Sequence, residues 1–211
     1  MKRLIIIGAG GFGREVLSWA RQNPACGTEW ELAGFLDDDP EALAGSECDL
    51  GIISRIGDYN PDHDDLFVCA IGLQSTKRRI CGSILERGGV FFSLVHPTAI
   101  LGDNVSLGRG VILCPHVVLT ADISIGDFVS LNLYATVGHD AVIADWCHVS
   151  SHCDITAGAV LDEGVFLGSH AVILPGTRVG AGAVVGAGSV VLRRVPDGAT
   201  VFGSPARRVP G

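Results

Sequence analysis

Positive charge is scarce in this chain: 15 Lys and Arg stand against 23 Asp and Glu, which leaves a formal net charge of −8 and a pI near 5.2. A nucleic-acid surface needs a basic excess, so no nucleic-acid partner is expected. Long apolar runs are also missing. Nothing approaches the roughly 18 consecutive apolar residues of a membrane helix, and the opening MKRLIIIGAGGFG is too short an apolar run for a signal peptide. The seven Cys are odd in number and lack the paired spacing of a metal site, so no metal centre is expected and a reducing cytoplasm is the natural compartment. What the chain does have is 47% hydrophobic residues and 29 Gly, a combination that excludes disorder and implies many turns in a well-buried chain. Small anionic ligands stay compatible with the acidic balance, because backbone N–H groups and a few local cations suffice to hold them. The basic clusters are Lys77-Arg78-Arg79, Arg193-Arg194 and Arg207-Arg208.

The first ninety residues alternate short apolar runs with helical stretches. Leu4 to Ile7 reads as a strand that ends in Gly8-Ala9-Gly10-Gly11-Phe12-Gly13, after which Arg14 to Arg21 can run as a helix. A second strand, Leu32 to Leu36, ends in Asp37-Asp38-Asp39; a third, Leu66 to Ile71, ends at Gly72 and leads into a helix over Ser75 to Glu86. Glycines at such a turn let backbone approach a phosphate, the helix N-terminus supplies N–H donors, and the acids can accept a ribose or sugar hydroxyl. A dinucleotide site needs two βαβαβ halves, and only one fits before the next region begins. A nucleotide-type ligand at Gly10, Gly11, Phe12, Asp37, Asp38 and Gly72 is one reading; glycines that only shape the turn are the other.

From residue 95 to residue 190 the pattern changes completely. Steps of six from Val95 give Leu101, Leu107, Leu113, Leu119, Ile125, Leu131 and so on to Val191, every one aliphatic. A smaller residue follows four places after each, as at Ala135, Ala141, Cys147 and Cys153, and Gly often follows the aliphatic directly. This period excludes an amphipathic helix, which needs apolar residues at a 3.6 spacing. A coil of short flat strands fits, because each unit buries its aliphatic against the same position one coil away. The hexad resembles that of the left-handed β-helix acyltransferases, and the resemblance implies that three hexads close one coil, that residues 18 apart stack, and that the crossovers break the general right-handed rule.

Acyl transfer from a thioester needs a base for the acceptor's proton, and His is the natural base near neutral pH. Of the seven His, His139 is distinguished by a following acid, Asp140, which can fix the imidazole tautomer and stabilise the imidazolium; a solvated corner residue is the plainer reading. His63 lies in an acidic loop, His96 and His116 adjoin Pro, His170 has no matched partner, and His152 stays undecided. Cys147 and Cys153 fall on inward positions and read as small core residues.

The whole chain resembles one subgroup, the sugar acetyltransferases that join a small Rossmann-like N-terminal domain to this β-helix. It includes N-acetyltransferases of UDP-4-amino-sugars and of GDP-perosamine, and O-acetyltransferases of sialic acid. The matching residues are the N-terminal GAGGFG, Phe35-Leu36-Asp37-Asp38, Ala70-Ile71-Gly72, Val95-His96-Pro97, His139-Asp140 with His148 nine residues on, and the closing run Val201 to Arg208. The resemblance implies an α/β Rossmann-like half domain over residues 1–93 that binds a nucleotide-linked sugar, an all-β left-handed parallel β-helix over 94–193, and a tail over 194–211. It further implies that His139 is the general base, that Asp140 raises its basicity, and that His148 lies near the thioester of acetyl-CoA. The backbone amides of Ser169 and Ala187 would face the coenzyme arm, and the active site would lie between subunits of a homotrimer. Asn132 either hydrogen-bonds the acceptor amine or serves a coil turn. The expected reaction is N-acetylation of a UDP-, GDP- or dTDP-linked amino sugar; O-acetylation and a non-catalytic nucleotide-binding scaffold are the alternatives.

Overall fold

A computed structural model describes residues 1–209 and divides the chain into two compact units, Met1–Pro97 and Thr98 onward. In the first unit five parallel strands form one sheet: β1 (Lys2–Ile7), β2 (Trp30–Leu36), β3 (Ile52–Ser54), β4 (Asp65–Cys69) and β5 (Val90–Phe91), in the order β3-β2-β1-β4-β5. Helix α1 (Gly11–Arg21) connects β1 to β2, and α2 (Gln74–Glu86) connects β4 to β5. The sheet is covered on both faces, so Leu4, Ile5, Ile6 and Ile7 are all buried and β1 reads as a continuous apolar run rather than an alternating one. The order reverses between β1 and β4. Open α/β sheets bind ligands in the crevice at such a switch point, beyond the C-terminal ends of the strands.

Helix α1 begins at Gly11, three residues before the helix read from the sequence, so the glycines form its first turn instead of a separate loop. The reason is close packing. A Cβ on Gly13 would stand 1.9 Å from the Gly8 carbonyl oxygen, so only glycine lets the helix start against the end of β1. Strands β3 and β5 were not read from the sequence; three and two residues are too few to show a period.

The second unit is a parallel β-helix. From Ile100–Leu101 to Val190–Val191 a two-residue strand recurs every six residues, and partners in register lie 18 apart, as in Val118 with Ile100 and Thr136. Three faces result. Thr136 and Asp154 lie on the first, Val142 and Val160 on the second, and His148 and Phe166 on the third. The hexad read from the sequence accounts for the interior: Leu119, Leu131, Val137, Ile143, Val149, Leu161 and Leu167 are buried, with Ala135, Ala141, Cys147 and Cys153 beside them. The Cys147 and Cys153 thiols donate to the carbonyls of Asp162 and Gly168, each at 3.1 Å, and burial pushes the Cys153 thiol up to about 11.

Each corner of the coil turns through one residue with positive φ. Many are Gly, but nine are not, among them Asp140 (φ 61), Trp146 (φ 63), His152 (φ 60) and His170 (φ 60). The glycines that follow the aliphatic positions serve a different purpose. A Cβ on Gly138 would lie 2.7 Å from the Ala157 nitrogen of the next coil, so these positions are bare because coils stack about 4.8 Å apart. On the third face Thr200–Phe202 pairs in parallel with Val184–Val185, and Arg207–Arg208 then returns antiparallel to it. No helix among the described residues is long and apolar enough to cross a membrane.

Candidate active site

The C-terminal ends of β1, β2 and β4 carry the residues singled out in the first unit. No side chain caps α1 at Gly10, and Gly10, Gly11 and Gly72 each have open space where a Cβ would stand. Phe12 lies in the first turn of α1, its ring edge-on to Trp19 at 6.1 Å. Asp37 accepts the Ala9 N–H at 2.7 Å and the Asp39 N–H at 3.0 Å, so its carboxylate braces the glycine turn from the neighbouring strand. Asp38 accepts the Ile56 N–H at 3.1 Å through one oxygen. Both acids therefore have structural work beside any contact with a ligand.

In the second unit His139 and Asp140 share the corner between the first and second faces. Nδ1 of His139 lies 2.7 Å from Oδ2 of Asp140, with the side chains 64% and 67% exposed. An αL backbone at Asp140 folds its carboxylate back onto the preceding ring, which sequence adjacency alone does not guarantee. With Nδ1 bonded to the acid, Nε2 is the ring nitrogen left to face a ligand. His148 stands on the third face, its ring stacked on Phe166 at 5.4 Å and 6°.

Asn132, Ser169 and Ala187 belong to the remaining corner, between the third and first faces. The Asn132 side-chain oxygen accepts the Leu133 N–H at 2.8 Å, which is the turn-forming reading of that residue. The Ser169 carbonyl accepts the Gly188 N–H at 2.8 Å, while the backbone N–H groups of Ser169 and Ala187 make no hydrogen bond among the described residues. The structure thus pairs His139 with Asp140 on one edge, and sets Ser169 and Ala187 on a different edge with His148 on the face that leads to it.

One cluster escaped the sequence reading. His116, Tyr134, His152 and His170 stack in a ladder up the same corner as Ser169, with ring centroids 4.8, 5.0 and 4.8 Å apart. His170 and the undecided His152 are therefore neighbours. The signal was present as aromatic rings recurring every 18 residues, a period visible only once the coil length is known.

Comparison with known proteins agrees with this two-part build. A family model described as the PglD N-terminal domain matches residues 3–84, and one described as bacterial transferase hexapeptide (six repeats) matches residues 158–193. Among curated proteins the chain is similar to the GDP-perosamine N-acetyltransferase of Escherichia coli O157:H7, 32% identical over 116 residues. That match covers 53% of this chain, which spans about half (51%) of that relative's length. Among solved structures it is similar to the acetyltransferase domain of PglB from Neisseria gonorrhoeae FA1090, at 28% identity and a TM-score of 0.91, covering 99% of this chain and 100% of that one. A perosamine N-acetyltransferase variant from Caulobacter crescentus, in complex with CoA and GDP-perosamine, is similar at 28% identity and a TM-score of 0.89, covering 100% and 98%. The chain thus joins a PglD N-terminal domain to the hexapeptide repeats of bacterial transferases, the two-part pattern of the sugar acetyltransferases that its sequence resembles.

Proposed function

We propose that the chain is an acetyl-CoA-dependent N-acetyltransferase that acts on the amino group of a nucleotide-linked amino sugar. The observation that carries this reading is the His139–Asp140 pair at 2.7 Å on an exposed edge of the β-helix. Asp140 accepts the Nδ1–H of His139 and fixes the tautomer in which Nε2 takes a proton, as the acid of a catalytic triad does. The sugar amine attacks the thioester carbonyl as Nε2 removes its proton; the new N–C bond forms, the C–S bond breaks, and the proton passes to the departing thiolate of coenzyme A. No covalent enzyme intermediate is needed.

His148 lies near the thioester in this reading, and the unspent backbone N–H groups of Ser169 and Ala187 hold the amides of the coenzyme arm. Relatives whose structures hold CoA, acetyl coenzyme A or GDP-perosamine support the pair of ligands. Within one chain His139 and the Ser169–Ala187 pair stand on different edges, which supports a homotrimer whose site is shared between neighbours. The nucleotide's diphosphate meets the start of α1 at Gly10, Gly11 and Phe12, its ribose meets Asp38, and Gly72 lies beside them at the end of β4. Seven free thiols suit a reducing cytoplasm.

The test is release of coenzyme A thiol from acetyl-CoA with UDP-, GDP- and dTDP-linked amino sugars, beside free sialic acid. Turnover with an amino sugar supports the proposal; turnover with sialic acid alone makes the chain an O-acetyltransferase, and silence throughout ends the enzymatic reading. General base catalysis contributes about 10² to 10⁴ in rate, so His139→Ala should lose that much in kcat. Near-full turnover would remove His139 from the role.

A further inference from the structure

The positive charge of this acidic chain is unevenly spread. Residues 164–211 carry five Arg against the single acid Asp197, a balance of +4, while residues 1–163 carry ten Lys and Arg against 22 Asp and Glu, a balance of −12. Four of those five arginines gather where the three faces of the β-helix end. Val191, Val195 and Val201 lie buried in the wall of a cavity of about 330 Å³ there, and the exposed Arg193, Arg194, Arg207 and Arg208 line it too. None of the four forms an ion pair among the described residues. Arg207 donates to the adjoining Ala206 carbonyl at 3.3 Å, and the other three side chains make no hydrogen bond among those residues. Leu192 lines the same cavity and Phe202 pairs with Arg207 across the terminal strands, yet they are 47% and 59% exposed.

Unpaired guanidiniums set among exposed apolar side chains ask two things of a partner, negative charge and apolar contact. A surface of anionic phospholipid supplies both: its headgroup phosphates meet the guanidiniums, and Leu192 and Phe202 enter the boundary between headgroups and acyl chains. An acidic protein would have to place one fixed acceptor opposite each arginine, whereas no contact among the described residues fixes the direction of Arg193, Arg194 or Arg208. A fluid plane of charge needs no such fixing. The acidity of the rest of the chain does not forbid the contact. Screening confines the interaction to charges within about 8 Å of the surface at physiological salt, so the local balance decides it rather than the net charge.

We infer that the terminal coil of the β-helix, through Leu192, Arg193, Arg194, Phe202, Arg207 and Arg208, is a docking surface for a membrane that carries anionic phospholipid. Clusters of about four to eight Arg or Lys are of the size that such a surface holds. In the homotrimer proposed above, cyclic symmetry points all three ends the same way. Three patches then meet one membrane, and each contact raises the effective concentration of the next. Only this gain rests on the trimer; the docking itself is independent of the acetyl transfer.

Co-sedimentation of the full-length protein with vesicles tests this. The protein should sediment with an equal mixture of phosphatidylcholine and phosphatidylglycerol at low salt, stay in solution with phosphatidylcholine alone, and leave the mixed vesicles as salt is raised. Two double variants, Arg193→Gln with Arg194→Gln and Arg207→Gln with Arg208→Gln, should each weaken binding about tenfold or more, the loss expected of two arginines near an anionic surface. All four sites are exposed, so both variants should keep the thermal midpoint and the release of coenzyme A thiol. No sedimentation with the mixed vesicles, equal binding to neutral ones, or variants that bind like the unaltered protein would overturn the docking surface. So would a raised KM for acetyl-CoA in the variants when the unaltered protein ignores vesicles, which would assign the arginines to the phosphates of the coenzyme. Each of these outcomes leaves the acetyltransferase reading standing, and a protein that docks without turnover would do the reverse.

Discussion

Asp140 shows how one backbone angle brings together the His139–Asp140 pair that we propose as the catalytic dyad. Its φ of 61 is a conformation that Asp and Asn tolerate better than other non-glycine residues, and that conformation returns its carboxylate to the His139 ring. The two demands on the residue, shape and charge, can be separated. Asp140→Asn should keep the thermal midpoint and lower kcat, whereas Asp140→Ala should lower both, with about 1 kcal/mol lost to the left-handed backbone. Equal midpoints for the two variants in thermal denaturation would deny the backbone its share. The sequence showed His139 and Asp140 as neighbours, but the contact between them depends on this φ, which no residue type dictates alone. Tyr59 makes a second residue-scale case. Its phenol donates to Asp65 at 2.7 Å, and desolvation, aided by that carboxylate, pushes it up to about 12 from 10.0. The neutral phenol is the bonded form, so its contribution to stability is complete below pH 10 and is lost as pH rises towards 12. The chain has two Tyr, so in Tyr134→Phe the remaining phenolate absorbance should appear with a midpoint near 12. A midpoint near 10 would mean that the Tyr59–Asp65 bond does not hold in solution.

At the scale of the element, the hexad was legible because its cause is local and repeated: every hexad supplies one aliphatic, and the sixteen positions spaced by six from Leu101 to Val191 carry one each time. The corners were less legible. Glycine after the aliphatic looked like a turn residue, but at Gly138 it is demanded by the next coil, whose Ala157 nitrogen would sit 2.7 Å from any Cβ. The turn itself falls two residues later, on positions such as Asp140 and His152, where side chains of many kinds conceal it. Gly138→Ala should therefore destabilise by about 1–3 kcal/mol, the range for overpacking a tight interior, readable as a lower denaturant midpoint with an unchanged slope. An unaltered midpoint would show that coil spacing relaxes there. In the first unit the strands that carry the glycine turn and the acids were legible as apolar runs. The brace from Asp37 to Ala9 was not, because it joins residues 28 apart on strands whose adjacency is a tertiary fact.

For the whole molecule, the separation of His139 from Ser169 and Ala187 onto different edges turns a question of assembly into one of activity. A shared site predicts complementation. His139→Ala and Ala187→Trp should each be inactive, and mixed trimers refolded from both should regain a measurable part of the turnover, because some interfaces then combine an intact His139 with an intact coenzyme edge. Recovery should coincide with a trimeric mass in sedimentation; a fully active monomer, or no recovery on mixing, would sink the shared site. A helix built of equivalent coils faces one more problem, which its last strands answer. Each coil is a template for the next, and a bare terminal coil would recruit the matching coil of another molecule into an open-ended filament. Arg207–Arg208, running antiparallel on Val201–Phe202, breaks the parallel pattern with two charged, exposed side chains on the outermost rung. Arg207 and Arg208 should therefore act as a stopper against fibre growth: a chain cut after Gly203 should scatter light and lengthen into rods where one that keeps them stays dispersed.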